Sequence, residues 1–482
     1  MMRQLRLWCW LGATLLYGYL FYNQAIGVNI LLFTVALVTV VFALQPALRY
    51  QRTVVALAVG CLFTGILTAW HPTWATIIMN AFSLLAFSSL SQRPQGSMVT
   101  TVVHAAYSIV ASFFQHVFRP ATAANNTSNE SVTVATAGIT FDKLVSYGAP
   151  LLVAAVFFVL YLEASPAFSA LFTNLSLDFI SLGWVLFTMF GGYLLFAFFY
   201  PLVVKPLAEA DEAAADQLVR QRRSPLGLFN PVGLRYEYQA GGLLFALLNG
   251  LLLLFNTIDA FYLLTLRLPE GVTHTAFLHQ GVYALIISVV LAIGVVMYFF
   301  RGNLNFLQNN RWLRYAAYGW IGQNALLVVL TGIKNFNYID EYGLTHKRVG
   351  VYVYLLLTLI GLATTYLKVR DKKSNWFLFR KNAWAFYAVL LLYSTIDWTR
   401  AIAKYNISRF DSKRVRVEYL LRLSDAHLDL LEETRHTYNL PFEQDIEIKR
   451  RVRHFLKQER REEWLAWNYR DYVLVQRLRK DH

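Results

Sequence analysis

Charge is what this chain has least of: 15% of its 482 residues are Asp, Glu, Lys or Arg, against about a quarter in a typical soluble domain. Length alone would suggest about three soluble domains. Apolar runs recur from residue 7 almost to residue 403, and 56% of the residues are hydrophobic, so no water-facing surface can be built over most of the chain. Cysteine is nearly absent. Cys9 and Cys61 both sit inside apolar runs, which excludes a disulfide framework, and no Cys/His spacing suits zinc. The sequence also lacks a Walker loop, an H-E-x-x-H and a G-x-S-x-G. Hence no cofactor, metal or catalytic residue is expected, and the reading leans away from an enzyme.

What is present is a series of apolar segments, each near the ~20 residues that a spanning helix needs. They fall at 7–22, 27–44, 53–70, 73–90, 147–168, 178–200, 238–264, 277–300, 313–335, 349–368 and 384–403. The expected fold class is therefore all-α, a polytopic transmembrane bundle of about 11 helices with a short helical C-terminal tail. The N-terminus, with Arg3 and Arg6 before its apolar run, resembles a signal peptide, but no convincing cleavage site follows and it reads as a retained helix. Residues 97–118 carry His104, Gln115 and His116 among apolar residues and suggest a helix lying in the membrane interface. Residues 121–140, rich in Ala, Asn, Ser and Thr, read as a linker. Four portions result: a four-helix membrane portion at 1–96, the interfacial helix and linker at 97–146, a seven-helix body at 147–403, and a charged helical tail at 404–482.

The net charge of +15 raises nucleic acid as a partner, and the placement of the charges argues for the lipid bilayer instead. Lys and Arg concentrate at alternate segment ends and loops, whereas the intervening outside segments before the tail hold Arg267, Lys334, Lys347 and Arg348. By the positive-inside rule the N-terminus is cytoplasmic. Eleven crossings put the tail outside despite its basic start, which long segments tolerate.

Ionisable groups inside spanning helices are costly and point to function. Glu163, Asp259, Lys334 and Asp397 stand near the C-terminal ends of the fifth, seventh, ninth and eleventh segments, hence toward one side, and Asp178 opens the sixth on that same side. At about 100° per residue, Asn249, Asn256 and Asp259 form one polar stripe, and Asn324, Thr331, Lys334 and Asn335 another. Tyr393, Asp397, Arg400 and Lys404 form a third at i, i+4, i+7 and i+11. Lys334 is expected to pair with Asp259 or Asp397, and Arg400 to stay close to Asp397. The plain alternative is that these groups snorkel to the headgroups, with no site between them.

Three motifs carry a resemblance. The first is Asp340-Glu341-Tyr342-Gly343-Leu344-Thr345-His346-Lys347-Arg348. The second is Asp397 followed by Ile402-Ala403-Lys404-Tyr405-Asn406-Ile407-Ser408-Arg409, and the third Glu418-Tyr419-Leu420-Leu421-Arg422-Leu423-Ser424-Asp425-Ala426. They resemble the Y-G-L-T-x-x-R, I-A-x-Y-N-x-x-R and acid-Y-L-x-x-L-S-x-D-A segments of an uncharacterised bacterial membrane family, a domain of unknown function. The third lacks the extra residue, commonly Pro, that the family often has between Ser and Asp. The resemblance spans residues 238–438 and implies a multi-pass protein of a bacterial inner membrane, with no activity attached. Gly343 is expected to need a positive φ, Thr345 to cap the next helix, and Arg348 to seek an acid such as Glu341 or Asp397.

Three functions follow as expectations. The first is a non-enzymatic envelope protein that senses or organises, with another envelope protein as partner through the tail. The second is a secondary transporter using the Asp/Lys cluster, and the third a membrane enzyme acting on a lipid-linked substrate.

Overall fold

The computed structural model describes residues 2–117, 157–158, 161, 181–220, 231–265, 282–308, 310–409, 417–437, 440–459 and 463–480. The expected linker at 121–140, the segment at 147–168, Glu163 and Asp178 lie outside the described residues, apart from 157–158 and 161. Everything described is helix, turn or connection, with one isolated bridge between Gln217 and Lys373.

Long apolar runs become helices because hydrocarbon offers the backbone no partner but itself. Seven helices among the described residues are long and apolar enough to cross a membrane, and Val28–Leu44 is a shorter apolar one. The protein is an all-α membrane bundle. Beside an apolar core, polar side chains such as Asn29, Thr34, Thr64, Asn80 and Ser83 are buried between helices, while large apolar ones such as Leu15, Val35, Phe63 and Ile78 face outward.

The chain forms two compact units, residues 1–209 with 453–482, and residues 210–452. This division by contact falls at other points than the four portions read from sequence.

The first unit contains α1 (Met2–Phe21), α2 (Val28–Leu44), α3 (Arg52–Trp70), α4 (Trp74–Gln92), α5 (Met98–Val117) and α6 (Leu182–Phe199). Asn29 closes the α1–α2 turn, donating to Leu20 and Ala25 carbonyls and accepting from the Gly27 and Ile30 amides, at 2.8–3.0 Å. Asn80 ties three helices, reaching Thr34, Thr64 and the Cys61 carbonyl at 3.1 Å each. α1 and α6 run antiparallel, with Trp10 on the Gly192 carbonyl (2.8 Å) and Tyr22 bonded to Ser181 (2.7 Å). A Cβ on Gly191 would enter the Tyr17 ring, so this close crossing requires glycine.

α5 departs from the interfacial reading. Its polar face (Thr100, Thr101, His104, Ser108, Ser112) is buried, and Val103, Tyr107, Val110 and Phe114 are exposed. Ser108 and His104 accept the Leu202 and Val204 amides at 2.8 and 3.2 Å, so the polar groups serve the irregular backbone after α6.

The second unit begins within α7 (Lys205–Ala213) and contains α8 (Pro231–Thr265), α9 (Val282–Phe299), α10 (Arg311–Tyr342), α11 (His346–Arg370), α12 (Asn375–Ser394), α13 (Trp398–Arg409), α14 (Val417–Leu420) and α15 (Leu428–Thr437). Its core joins Phe245, Phe299, Phe300, Leu313, Leu327 and Leu362. One end gathers basic loops. Lys368 donates to the Phe300 and Lys373 carbonyls (2.6 and 3.1 Å), Arg314 to the Arg370 carbonyl (3.1 Å), and Arg380 bridges Asp211 and Asp216 at 3.0 and 2.7 Å. The α10–α11 turn, α13, α14 and α15 form a cap at the opposite end.

The segment read as one helix at 384–403 is two. α12 stops at Ser394, where the Ser394 and Thr395 hydroxyls turn back onto the Leu391 and Leu392 carbonyls at 2.7 Å. Asp397 starts α13, its carboxylate accepting the Arg400 amide at 3.2 Å. The expected i, i+4, i+7, i+11 stripe is therefore interrupted.

Beyond the cap, α16 (Phe442–Glu459) bridges the two units in sequence, and α17 (Tyr469–Leu478) belongs to the first. Despite its dense charge α16 is not a solvated rod: Ile448, Val452 and Phe455 are buried along one face.

Candidate functional site

The site is built on α8 and α10, which run parallel. Asn249 donates to the Ala316 carbonyl (2.9 Å) and accepts from Gln323 (2.8 Å), and Asn256 donates to the Gln323 carbonyl (3.0 Å). Higher on the same helices the Lys334 ammonium pairs with Asp259, both side chains 8% exposed. From Asn249 to Asp259 the column rises about 15 Å, half the hydrocarbon thickness. Of the two carboxylates expected for Lys334, the structure brings up Asp259.

The column passes into the cap through neighbouring groups. Asn335 donates to the Arg348 carbonyl at 3.1 Å. The Arg348 guanidinium donates to the Gly343 carbonyl and lies 4.1 Å over the Tyr338 ring. It thus answers the free carbonyl at the end of α10, a role that the expectation of Glu341 or Asp397 as partner did not include. Gly343 has φ 80° and ψ 171°, a conformation essentially reserved for glycine. Thr345 caps α11 by accepting the Arg348 amide at 3.4 Å.

Here the three motifs meet. Asn406 grips the backbone of Leu344 twice, accepting its amide at 2.7 Å and donating to its carbonyl at 2.9 Å. Arg409 pairs with Asp340 at 2.5 Å, and the Tyr419 hydroxyl accepts the His346 amide at 3.4 Å. The Tyr342 ring lies tilted beside Tyr338 (centroids 4.9 Å apart), Tyr405 is half-buried on α13, and Glu341 is exposed. Arg400 does stay beside Asp397 through its backbone, but its guanidinium goes elsewhere, in a two-pronged pair with Asp429 (2.9 and 2.6 Å) and to the Ala426 carbonyl (3.1 Å). Asp429 sits 29 positions away in sequence, outside any helical spacing, so no sequence signal marked it. Gln323 was missed for a similar reason: it lies on α10 outside the stripe through Asn324, and only helix rotation turns it to Asn249.

The cap is itself held by Arg451, which binds Asp425 and donates to the Leu421 and Leu423 carbonyls at 2.7 and 2.9 Å. Under it His427 is fully buried, with Nε2 3.1 Å from the Leu420 carbonyl. Burial, helped by the Arg451 charge, pushes this imidazole from 6.5 down to about 4. A lowered folded value means that the neutral ring stabilises the cap fully above pH 6.5, and that this contribution is lost as pH falls toward 4. The cap should therefore lose on the order of 3 kcal/mol across that window. Thermal unfolding at pH 7.5 and 4.5 checks it: His427→Gln should remove most of the acid sensitivity, and an unchanged pH profile would disprove the assignment.

A bundle of long apolar helices with large apolar side chains turned outward, a buried ion pair and a backbone-locked cap defines a multi-pass α-helical membrane protein. The chain belongs to the family described as Domain of unknown function (DUF4153), which matches residues 10–434. The match extends well N-terminal of the three motifs. No curated protein and no solved structure matches the chain.

Proposed function

We propose that this is a non-enzymatic sensing or organising protein of a bacterial inner membrane, in which the cap and the buried ion pair form one responsive unit. One observation carries the reading: a run of bonds joins Lys334–Asp259, through Asn335, Arg348 and Gly343, to Leu344 and Asn406. A change at the pair then alters the cap, and a partner at the cap alters the pair. The bilayer surrounds the spans, and another envelope protein is the partner at the cap side, where Phe442 and Ile446 are exposed. A photocrosslinker at Phe442 in native membranes tests this. One defined adduct that disappears in Asn406→Leu, at equal protein level, supports it; adducts indifferent to that change count against it.

The orientation that fits this role has a cytoplasmic N-terminus, the basic end of the second unit inside and the cap outside. A cysteine at exposed Lys347 should then label with an impermeant maleimide in right-side-out vesicles, and one at exposed Lys381 only after lysis. The reverse pattern would invert the topology.

A second reading, transport of protons or a small cation, is favoured by unpartnered buried acceptors. Asn256 Oδ1, Asp259 Oδ2 and Asn324 Oδ1 have no hydrogen-bond donor among the described residues. Such atoms cost about 1–3 kcal/mol each unless a donor or cation visits them. Gradient-driven flux in proteoliposomes, lost in Asp259→Asn, would support transport; no flux in either protein would remove it.

A further inference from the structure

In the first unit the C-terminal segment lies against the turns that join the spanning helices. The Val28 amide donates to the Trp467 carbonyl (2.9 Å), Gln24 to Glu463 (2.9 Å), and Arg470 to the Pro72 carbonyl (3.1 Å). These are the α1–α2 and α3–α4 turns, so the segment sits where two spans, α3 and α4, leave the hydrocarbon. The Trp70 and Tyr469 rings are 4.4 Å apart, and Trp467 and Tyr472 6.3 Å.

Six aromatic side chains at this end are turned outward: Trp70 at 54%, Trp74 at 62%, Trp464 at 64%, Trp467 at 46%, Tyr469 at 41% and Tyr472 at 50% exposure. The opposite face of α17 is used up, because Leu474, Val475 and Leu478 are buried. Three exposed cations, Arg477, Arg479 and Lys480, follow the aromatic group. Trp and Tyr, each an apolar body with one polar tip, are the residues that settle at headgroup depth, and nearby Lys and Arg draw anionic phosphates. A water-exposed patch of this size would be a liability, whereas one continuous with the lipid-facing ends of α3 and α4 is covered by the same bilayer.

We infer that residues 463–480 form an interfacial anchor, lying in the phospholipid headgroup layer with the six aromatic rings at headgroup depth and Arg477, Arg479 and Lys480 on anionic phosphates. The C-terminal end of the tail is thus a membrane-surface element, distinct in task from the cap of the second unit.

The test uses the full chain in a Cys9→Ser background, Cys61 being fully buried. An environment-sensitive fluorophore is placed by Trp464→Cys or Tyr472→Cys, two exposed positions, so that a fault of one variant does not decide the result. The protein is reconstituted in vesicles of phosphatidylcholine alone or with phosphatidylglycerol. The expected result is a loss of fluorescence to quenchers carried near the lipid headgroup at both positions, little loss to aqueous iodide, and a larger lipid-borne loss with phosphatidylglycerol. Strong iodide quenching at both positions would overturn the anchor. So would protection from both quenchers with a dimer in solution, because a second copy would then cover the patch.

Discussion

Lys334→Met should be the most damaging single substitution in the second unit. It leaves the Asp259 carboxylate at 8% exposure without its cation, and breaking a buried pair in this way costs about 3–5 kcal/mol. For a unit of this size that corresponds to a fall on the order of 10 °C in unfolding temperature. The informative companion is Lys334→Met with Asp259→Leu, which removes both charges and should recover much of the loss. Lys334→Met with Asp397→Leu should not, because Asp397 is engaged in starting α13. Thermal unfolding in detergent or nanodiscs reads all three. If the Asp397 double variant were the one rescued, the Lys334–Asp259 pairing would be wrong. The rescued protein also separates functions: a structural pair predicts a stable and active double variant, a transport site a stable and inactive one.

The second large effect is expected at Asn406. Asn406→Leu keeps the size of the side chain and removes both bonds to Leu344, leaving an amide and a carbonyl of the α10–α11 turn unsatisfied. Two lost bonds and two poorly solvated groups amount to about 2–4 kcal/mol. The loss should be local first: hydrogen exchange at Leu344 and across 417–437 should accelerate most, with a smaller effect at the Lys334 end of α10, while the Asn249 end of the α8–α10 column stays protected. Uniform acceleration through α8 and α10 would mean that Asn406 supports the whole unit and does not specifically join cap to bundle.

Much of this organisation was legible in the residues. The polar stripes on α8 and α10 pointed Lys334 toward an acid because an isolated ammonium in hydrocarbon is too costly to stand alone. Gly343 and Thr345 announced a turn and a cap through purely local chemistry, φ 80° at one and a hydroxyl on the Arg348 amide at the other. The order of the three motifs was visible, but their meeting was not. Asn406 and Leu344 are 62 positions apart, and nothing local says that an amide side chain will complete a distant backbone. The break before Asp397 was hidden because its apolar flanks read as one continuous helix. The polar face of α5 pointed to water until the backbone after α6 was found to use it.

The sequence by itself determined that this chain lives in a membrane as helices, since its apolar runs allow no other way to satisfy their backbone. It also determined the turn at Gly343 and which charges needed company. Only the tertiary structure decided which company: Asp259 for Lys334 and Asp429 for Arg400. It decided too that the charged tail divides between two units. The reason is geometric. Helix formation depends on the residues within a few turns, whereas the choice of partner depends on rotation and crossing of helices that are dozens of residues apart, where one ~100° step along a helix exchanges one neighbour for another.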